Sequence, residues 1–281
     1  NLMKKLINKI VPRAYGQYFN LYSLIAPHKV ANNAFHVFCT VRKGRIKPEQ
    51  AAYLDDFKLT VEDIAGHKIQ SYRWPGNKET VLLVHGWESN TFRWRNLIKK
   101  LREADFNIIA FDAPSHGYSS GKHLYVPLYE EAVNHMVKKY NPKHLIGHSV
   151  GGMTILYNQY KNPSEHVDKI VTIGSPSEFH EIVGHFQDIL KFNNRVMKHL
   201  DDYVLNRFGF KIDEFSTSKF AQSISKKGLL FHDKHDLITP YHASVAVNKN
   251  WKGSQLVSTE GLGHSMHQDD VNDQIISFLE A

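Results

Sequence analysis

Two periodicities divide this chain. Phe57 to Val61 and His67 to Trp74 alternate apolar and polar residues as half-buried strands do, and Asp63 to Gly66 reads as the turn between them. From Thr80 onward the pattern changes to short, continuously apolar runs separated by amphipathic segments. The runs Val81 to Val84, Asn107 to Phe111, His144 to Ile146, Lys169 to Ile173, Leu229 to Phe231 and Gln255 to Ser258 read as strands buried on both faces. Thr91 to Glu103, Tyr125 to Tyr140, Gly151 to Tyr160, Tyr241 to Asn250 and Val271 to Leu279 read as the helices that cover them. The expected fold class is α/β, with a mostly parallel central sheet and helices on both sides.

One interval breaks this rhythm. Between Ser175 and Lys227 lie about fifty residues, far more than one strand-helix crossover needs, and insertions of that size are commonly lids or binding segments. Phe179, Phe186, Phe192, Phe208, Phe210, Phe215 and Phe220 make it aromatic as well as helical in pattern. The expected organisation is a basic helical arm over 1–48, a core over 49–175 and 228–281, and a helical cap over 176–227, placed above the C-terminal edge of the sheet.

Charge changes the picture only at the N-terminus. The 281 residues carry a formal net charge of +7 and are 42% hydrophobic, enough for a sizeable core. Residues 1–48 hold nine Lys and Arg and no acidic residue, which leaves a net −2 for everything after them. Leu2, Leu6, Ile7, Ile10 and Val11 share a helix face, with Lys4, Lys5 and Lys9 away from it. Two readings are open: the helix packs its apolar stripe on the body, or residues 1–13 make peripheral contact with an anionic membrane. Polar residues and Pro12 interrupt the apolar core that a signal peptide requires, and no run is long enough to span a bilayer. The single Cys39 rules out an internal disulfide and suits a reducing, cytoplasmic setting. The basic arm has no nucleic-acid motif or interleaved aromatic platform, so no nucleic-acid partner is expected.

The chemistry is concentrated at strand ends. Gly147-His148-Ser149-Val150-Gly151 lies between an apolar strand and an apolar helix, the setting in which Gly-x-Ser-x-Gly forms a nucleophile elbow. A second match, Gly117-Tyr118-Ser119-Ser120-Gly121, lacks that strand-turn-helix context and is expected to be a decoy. A serine needs a base and an orienting carboxylate. His264, in the glycine-rich loop Gly261-Leu262-Gly263-His264-Ser265, is the expected base, with His267 its nearest competitor. Asp236 is favoured as the acid because it lies beyond the strand in a loop, whereas Asp233 sits nearer the sheet and would brace the turn. His232, Asp233, His235 and Asp236 lack the cysteines or helical His pair typical of zinc sites, so neither metal nor cofactor is expected. The amide of Val150, following the serine, and that of Trp87, leaving the strand at His85-Gly86, are the expected oxyanion donors.

These residues resemble the α/β-hydrolase family over about 57–281. His85-Gly86, Asp112-x-Pro114-x-His116-Gly117-x-Ser119, Gly147-x-Ser149-x-Gly151, Asp236-x-x-x-Pro240 and Gly263-His264 stand in the family's order. The resemblance implies a serine hydrolase of the esterase or lipase-like kind, with triad Ser149, Asp236 and His264 and oxyanion amides Trp87 and Val150. It also implies that Ser119 belongs to a structural loop. Serine at the elbow disfavours the dehalogenase and epoxide-hydrolase branches, which use aspartate there, and Ser115 replaces the family's usual small residue before His116. The expected substrate is a small-molecule carboxylic ester with an apolar or lipid-like acyl group. Thioester hydrolysis, acyl transfer, carbon-carbon cleavage and, in a different class, ligand binding without catalysis remain alternatives, because the machinery does not specify the substrate.

Overall fold

The computed structural model describes residues 2–281, with side chains from residue 10 onward. Along the chain come helices α1 (Leu2–Tyr22), α2 (Pro27–Cys39) and α3 (Pro48–Leu54), then strands β1 (Glu62–Ile64), β2 (His67–Ile69), β3 (Ser71–Trp74) and β4 (Lys78–Val84). Helix α4 (Arg95–Glu103), β5 (Phe106–Phe111), α5 (Val126–Tyr140), β6 (His144–His148), α6 (Val150–Lys161) and β7 (Lys169–Ile173) follow. The remainder is α7 (Phe179–Leu190), α8 (Asn194–Phe208), α9 (Thr217–Phe220), β8 (Lys227–Asp233), α10 (His242–Asn250), β9 (Ser254–Thr259) and α11 (Asp269–Glu280).

The chain divides into two compact units. One contains the sheets and runs over Val41–Ser177 and Thr217–Ala281; the other joins the chain up to Thr40 with Glu178–Ser216. The N-terminal helices and the helices of the long interval, expected as separate arm and cap, therefore cluster as one body. Residues 41–48, 176–177 and 217–227 cluster with the sheet. In the helical body α2 packs on α8 and α1 on α7, around Phe19, Val30, Ala34, Leu190, Phe192 and Val196.

The seven-stranded sheet has the order β3-β5-β4-β6-β7-β8-β9, with β3 antiparallel to β5 and every other pair parallel. Its inner strands carry continuous apolar runs because side chains alternate between two cores. Leu82, Val84, Ile109, Phe111, Leu145, Ile170 and Leu230 face one, with residues of α5 and α6. Val81, Leu83, Ile108, Ala110, Ile146, Val171 and Phe231 face the other, with residues of α4 and α11. The register brings Val84, Phe111 and Gly147 level, then His148 with Ile173 and Ile173 with Phe231, so the C-terminal strand ends form one edge. From β4 the chain goes to β5 on one side and then crosses back past β4 to β6 on the other. Loops leaving such a switch point open a crevice suited to a ligand.

The first strands differ from expectation. β1 and β2 form a separate two-stranded hairpin turning at Ala65 and Gly66, while Phe57 to Val61 contributes only a Lys58–Tyr72 bridge and a Leu59 N–H bond to the Ser71 carbonyl. The expected His67–Trp74 strand breaks at Gln70. Its N–H leaves the ladder for Ser119 Oγ, 3.0 Å away, and its side-chain amide bonds the carbonyls of Leu59 and Ser71. The expected Thr91–Glu103 helix is a 3₁₀ turn, Thr91–Trp94, continued by α4.

Candidate active site

Ser149 occupies the turn between β6 and α6 with φ 53° and ψ −125°, a conformation that costs a non-glycine residue of order 1–3 kcal/mol. Surrounding bonds impose it. The Ser149 N–H donates to the Ile173 carbonyl (2.8 Å), and its own carbonyl accepts from Gly152 N (2.9 Å) and Met153 N (3.2 Å). The flanking glycines allow the crossing: a Cβ at 147 would lie 2.6 Å from the backbone of Gly152, and one at 151 would overlap the Val84 carbonyl. The Ser149 hydroxyl makes no hydrogen bond among the described residues.

His264 Nδ1 is 2.7 Å from Asp236 Oδ2. A carboxylate accepts only, so the ring proton sits on Nδ1 and Nε2 is left as an acceptor. Nε2 has no partner among the described residues. Asp236 is fully buried at its side chain and also receives the Ile238 N–H (2.8 Å), the Thr239 N–H (3.1 Å) and the Thr239 hydroxyl (2.9 Å). Burial pushes its carboxyl up, but the His264 bond and these donors outweigh burial and bring it down to about 2.

Asp233 does different work. Its carboxylate accepts from His235 N (2.9 Å), Thr259 Oγ1 (2.9 Å) and Leu262 N (2.8 Å), tying the end of β8 to the loop that carries His264. His232 is committed as well, with Nε2 3.0 Å from the Thr239 carbonyl and Nδ1 2.6 Å from the Ser244 hydroxyl. Among the described residues no group of three or more His, Cys, Asp or Glu converges to hold a metal. His267 lines a small cleft with Arg93, Asn96 and Asn272, where burial first, then Arg93 and Arg95, depress its imidazole to about 4.

The elbow and the His264 loop are linked by His148. Its Nε2 is 2.9 Å from the His264 carbonyl and the two rings lie 4.8 Å apart, so the residue preceding Ser149 holds the backbone of His264. Burial, with Arg93 and His264 nearby, holds the His148 ring well below the usual imidazole range, and it is therefore neutral with its proton on Nε2.

Two more neutral histidines brace the loop after β4. His85 Nδ1 donates to the Gly86 carbonyl (2.8 Å) and its Nε2 accepts from Ala113 N (2.9 Å). Pinning that carbonyl fixes the planar Gly86–Trp87 peptide, whose N–H must point the opposite way. On the far side His116 Nε2 accepts the Glu88 N–H (2.9 Å), while its Nδ1 bonds the Pro114 carbonyl (2.9 Å). Trp87 is thus held from both neighbours, and its amide has no partner among the described residues. The Val150 N–H, at the first position of α6, has no intrahelical partner either. Sequence reasoning quoted His85 and His116 as motif positions but missed this bracing, because one partner of each stands 28 residues away.

Ser119 is fully buried, donates to the Asp112 carbonyl (2.7 Å) and accepts from Gln70 N. Its hydroxyl is structural.

The alpha/beta hydrolase fold family matches residues 79–202. A probable serine hydrolase of Drosophila melanogaster is 34% identical over 110 residues, covering 36% of this chain and 33% of that protein. A pimeloyl-[acyl-carrier protein] methyl ester esterase of Vibrio atlanticus is 32% identical over 106 residues, covering 37% of this chain and 39% of its own length. The chain thus spans between a third and two-fifths of these curated relatives. Among solved structures, an esterase from Exiguobacterium antarcticum superposes with TM-score 0.62 at 17% identity over 80% of this chain and 99% of that one. Est1E from Butyrivibrio proteoclasticus gives 0.64 at 18% identity over 79% and 98%. At such identities these two show the shared fold.

Proposed function

We propose that this chain, which belongs to the α/β-hydrolase family, hydrolyses carboxylic esters through Ser149, His264 and Asp236. The observation that carries the reading is the Asp236–His264 pair, 2.7 Å apart, with Nε2 left unbonded among the described residues and the His264 backbone bonded by His148, the residue that precedes a serine held at φ 53°. Ester cleavage, rather than another use of the same machinery, is supported by the esterase names among the relatives.

In this mechanism Ser149 Oγ attacks the ester carbonyl carbon while its proton passes to His264 Nε2. The imidazolium is stabilised by Asp236, which stays ionised. The carbonyl oxygen, now an oxyanion, is met by the Val150 and Trp87 N–H groups, each such donor typically worth ~10²–10³ in turnover. Collapse of the tetrahedral intermediate breaks the bond to the alkoxy oxygen, which leaves as an alcohol with the proton from His264. A water then repeats the sequence on the acyl-enzyme: it gives a proton to His264, releases the acid, and Ser149 regains its proton.

A series of nitrophenyl esters of increasing acyl length, assayed with the wild type and Ser149→Ala, tests this. The substitution should lower turnover by at least ~10³, and a fluorophosphonate should label the wild type at Ser149 alone. Folded wild type that neither labels nor turns over any ester would instead mark the fold as a non-catalytic binding scaffold.

A further inference from the structure

We infer that the outer face of α1, continued by the turn after it, docks on an anionic lipid bilayer. The helix packs the opposite way from an ordinary amphipathic surface helix. Its buried edge is Gly16, Phe19 and Ser23, spaced i, i+3, i+7, and a Cβ at Gly16 would overlap the Leu190 carbonyl, so α1 lies against the end of α7 on its small-residue side. Asn20 fixes the contact, donating to the Lys191 carbonyl (3.3 Å) and accepting from Asn193 N (2.7 Å).

Phe19 apart, most of the described apolar side chains of α1 are left outside. Ile10, Tyr18 and Leu21, grouped roughly opposite Gly16 at 100° per residue, are 53%, 47% and 70% exposed, and Leu24 and Ile25 in the following turn are 64% and 82% exposed. Of the sixteen exposed large hydrophobic residues among those described, seven fall between Ile10 and Ile25. An apolar patch of this concentration marks an interaction site. Membrane contact through residues 1–13, with Leu2, Leu6 and Ile7 on its face, was one of the two open readings; those three side chains lie outside the described ones, and the exposed surface runs on to Ile25.

Charge selects the partner. Residues 1–40, in the same unit as this helix, carry Lys4, Lys5, Lys9, Arg13 and Lys29 with no Asp or Glu, Arg13 within the exposed segment and Lys29 shortly after it. Pairing two copies of α1 would bring like charges together, since the helix carries Lys4, Lys5, Lys9 and Arg13 and no acidic residue of its own. Anionic headgroups supply the missing counter-charge, and each basic residue near such a surface contributes about 1 kcal/mol of attraction. Tyr15 and Tyr18, the latter stacked at 5.4 Å on the partly buried Tyr22, are exposed amphipathic rings of the kind enriched at membrane-water boundaries. Among the described residues no helix is long and apolar enough to cross a membrane, so α1 would lie in the interface plane.

Sedimentation of the full chain with vesicles of phosphatidylcholine alone, and with a third of phosphatidylglycerol, tests the inference. Binding should require the anionic lipid and weaken as salt rises. Leu21→Glu combined with Ile25→Glu changes two exposed side chains and leaves the core intact, as circular dichroism and thermal melting can verify. It should weaken vesicle binding by about a hundredfold, roughly tenfold per side chain withheld from the interface. The inference falls if wild type ignores anionic vesicles, if the double variant binds equally well, or if the wild type forms a dimer that the variant abolishes while vesicle binding is unchanged. Ester hydrolysis of a soluble substrate by the variant, read in parallel, separates this outcome from failure of the catalytic proposal.

Discussion

Acidification should loosen the loop that presents the Trp87 amide, and His85 sets the size of the effect. Its ring is fully buried, and burial, reinforced by Arg93 and only partly offset by the Gly86 carbonyl, lowers its pKa from the usual 6.5 to about 4. A histidine whose folded pKa is depressed favours the folded state above its unfolded value and loses that contribution as pH falls toward the folded value. Between pH 7 and pH 5 the unfolded ring takes up most of a proton while the folded ring stays neutral. The stability lost is about 1.8 kcal/mol for this one residue. His116, lowered to about 3 by burial and then by His85, contributes a similar amount over the same window. Protonation would also remove the acceptor that holds Ala113 N, so the charged ring cannot keep its native bonds. Urea unfolding at the two pH values, for wild type and His85→Gln, reads this directly. The variant should be less stable at pH 7 by ~1–3 kcal/mol for the broken bonds, yet lose about 1.8 kcal/mol less on going to pH 5. Identical losses in both proteins would refute the assignment of the pH dependence to the buried neutral ring.

Other substitutions separate strain, acid and brace. Ser149→Gly should abolish turnover and raise stability by about 1–3 kcal/mol in a thermal melt, because glycine accepts φ 53° without cost; destabilisation would show that the elbow is not strained. Asp236→Asn should lower turnover by ~10⁴ through the wrong His264 tautomer, and cost about 1–3 kcal/mol because a buried acceptor of four donors is altered. Asp233→Asn should cost a similar ~1–3 kcal/mol for its three donors and far less in turnover. A larger loss of turnover in Asp233→Asn than in Asp236→Asn would exchange the two roles.

How far the sequence could be read depends on whether the signal was local. The parallel strands were legible because both faces are buried, which leaves a continuous apolar run. Their ends were not, since polar residues such as Lys78, Lys227 and Thr259 still join the ladder through the backbone. Phe57 to Val61 alternates like a strand, but nothing within it reveals that its neighbour takes only one bridge. Ser149, Asp236 and His264 each carry a nearby marker: two glycines, a proline four residues on, a glycine-rich loop. For α1 the period was legible and the packed face was not. A hydrophobic pattern identifies an amphipathic helix, whereas Gly16, the residue that sets the contact, has no side chain to count.

The eighteen histidines follow from the same distinction. A neutral imidazole offers one donor and one acceptor on a rigid ring, which suits it to join two backbone groups that cannot meet directly. His85 joins Gly86 to Ala113, His116 joins Pro114 to Glu88, and His232 joins Thr239 to Ser244. His148 reaches the His264 carbonyl with one nitrogen while the other stays buried without a partner. All four rings are pushed toward neutrality by burial. His264 differs in its surroundings: one nitrogen faces a carboxylate and the other is unbonded. A local motif can single out His264, but only the tertiary arrangement shows the bonds by which the other four tie together the surrounding loops.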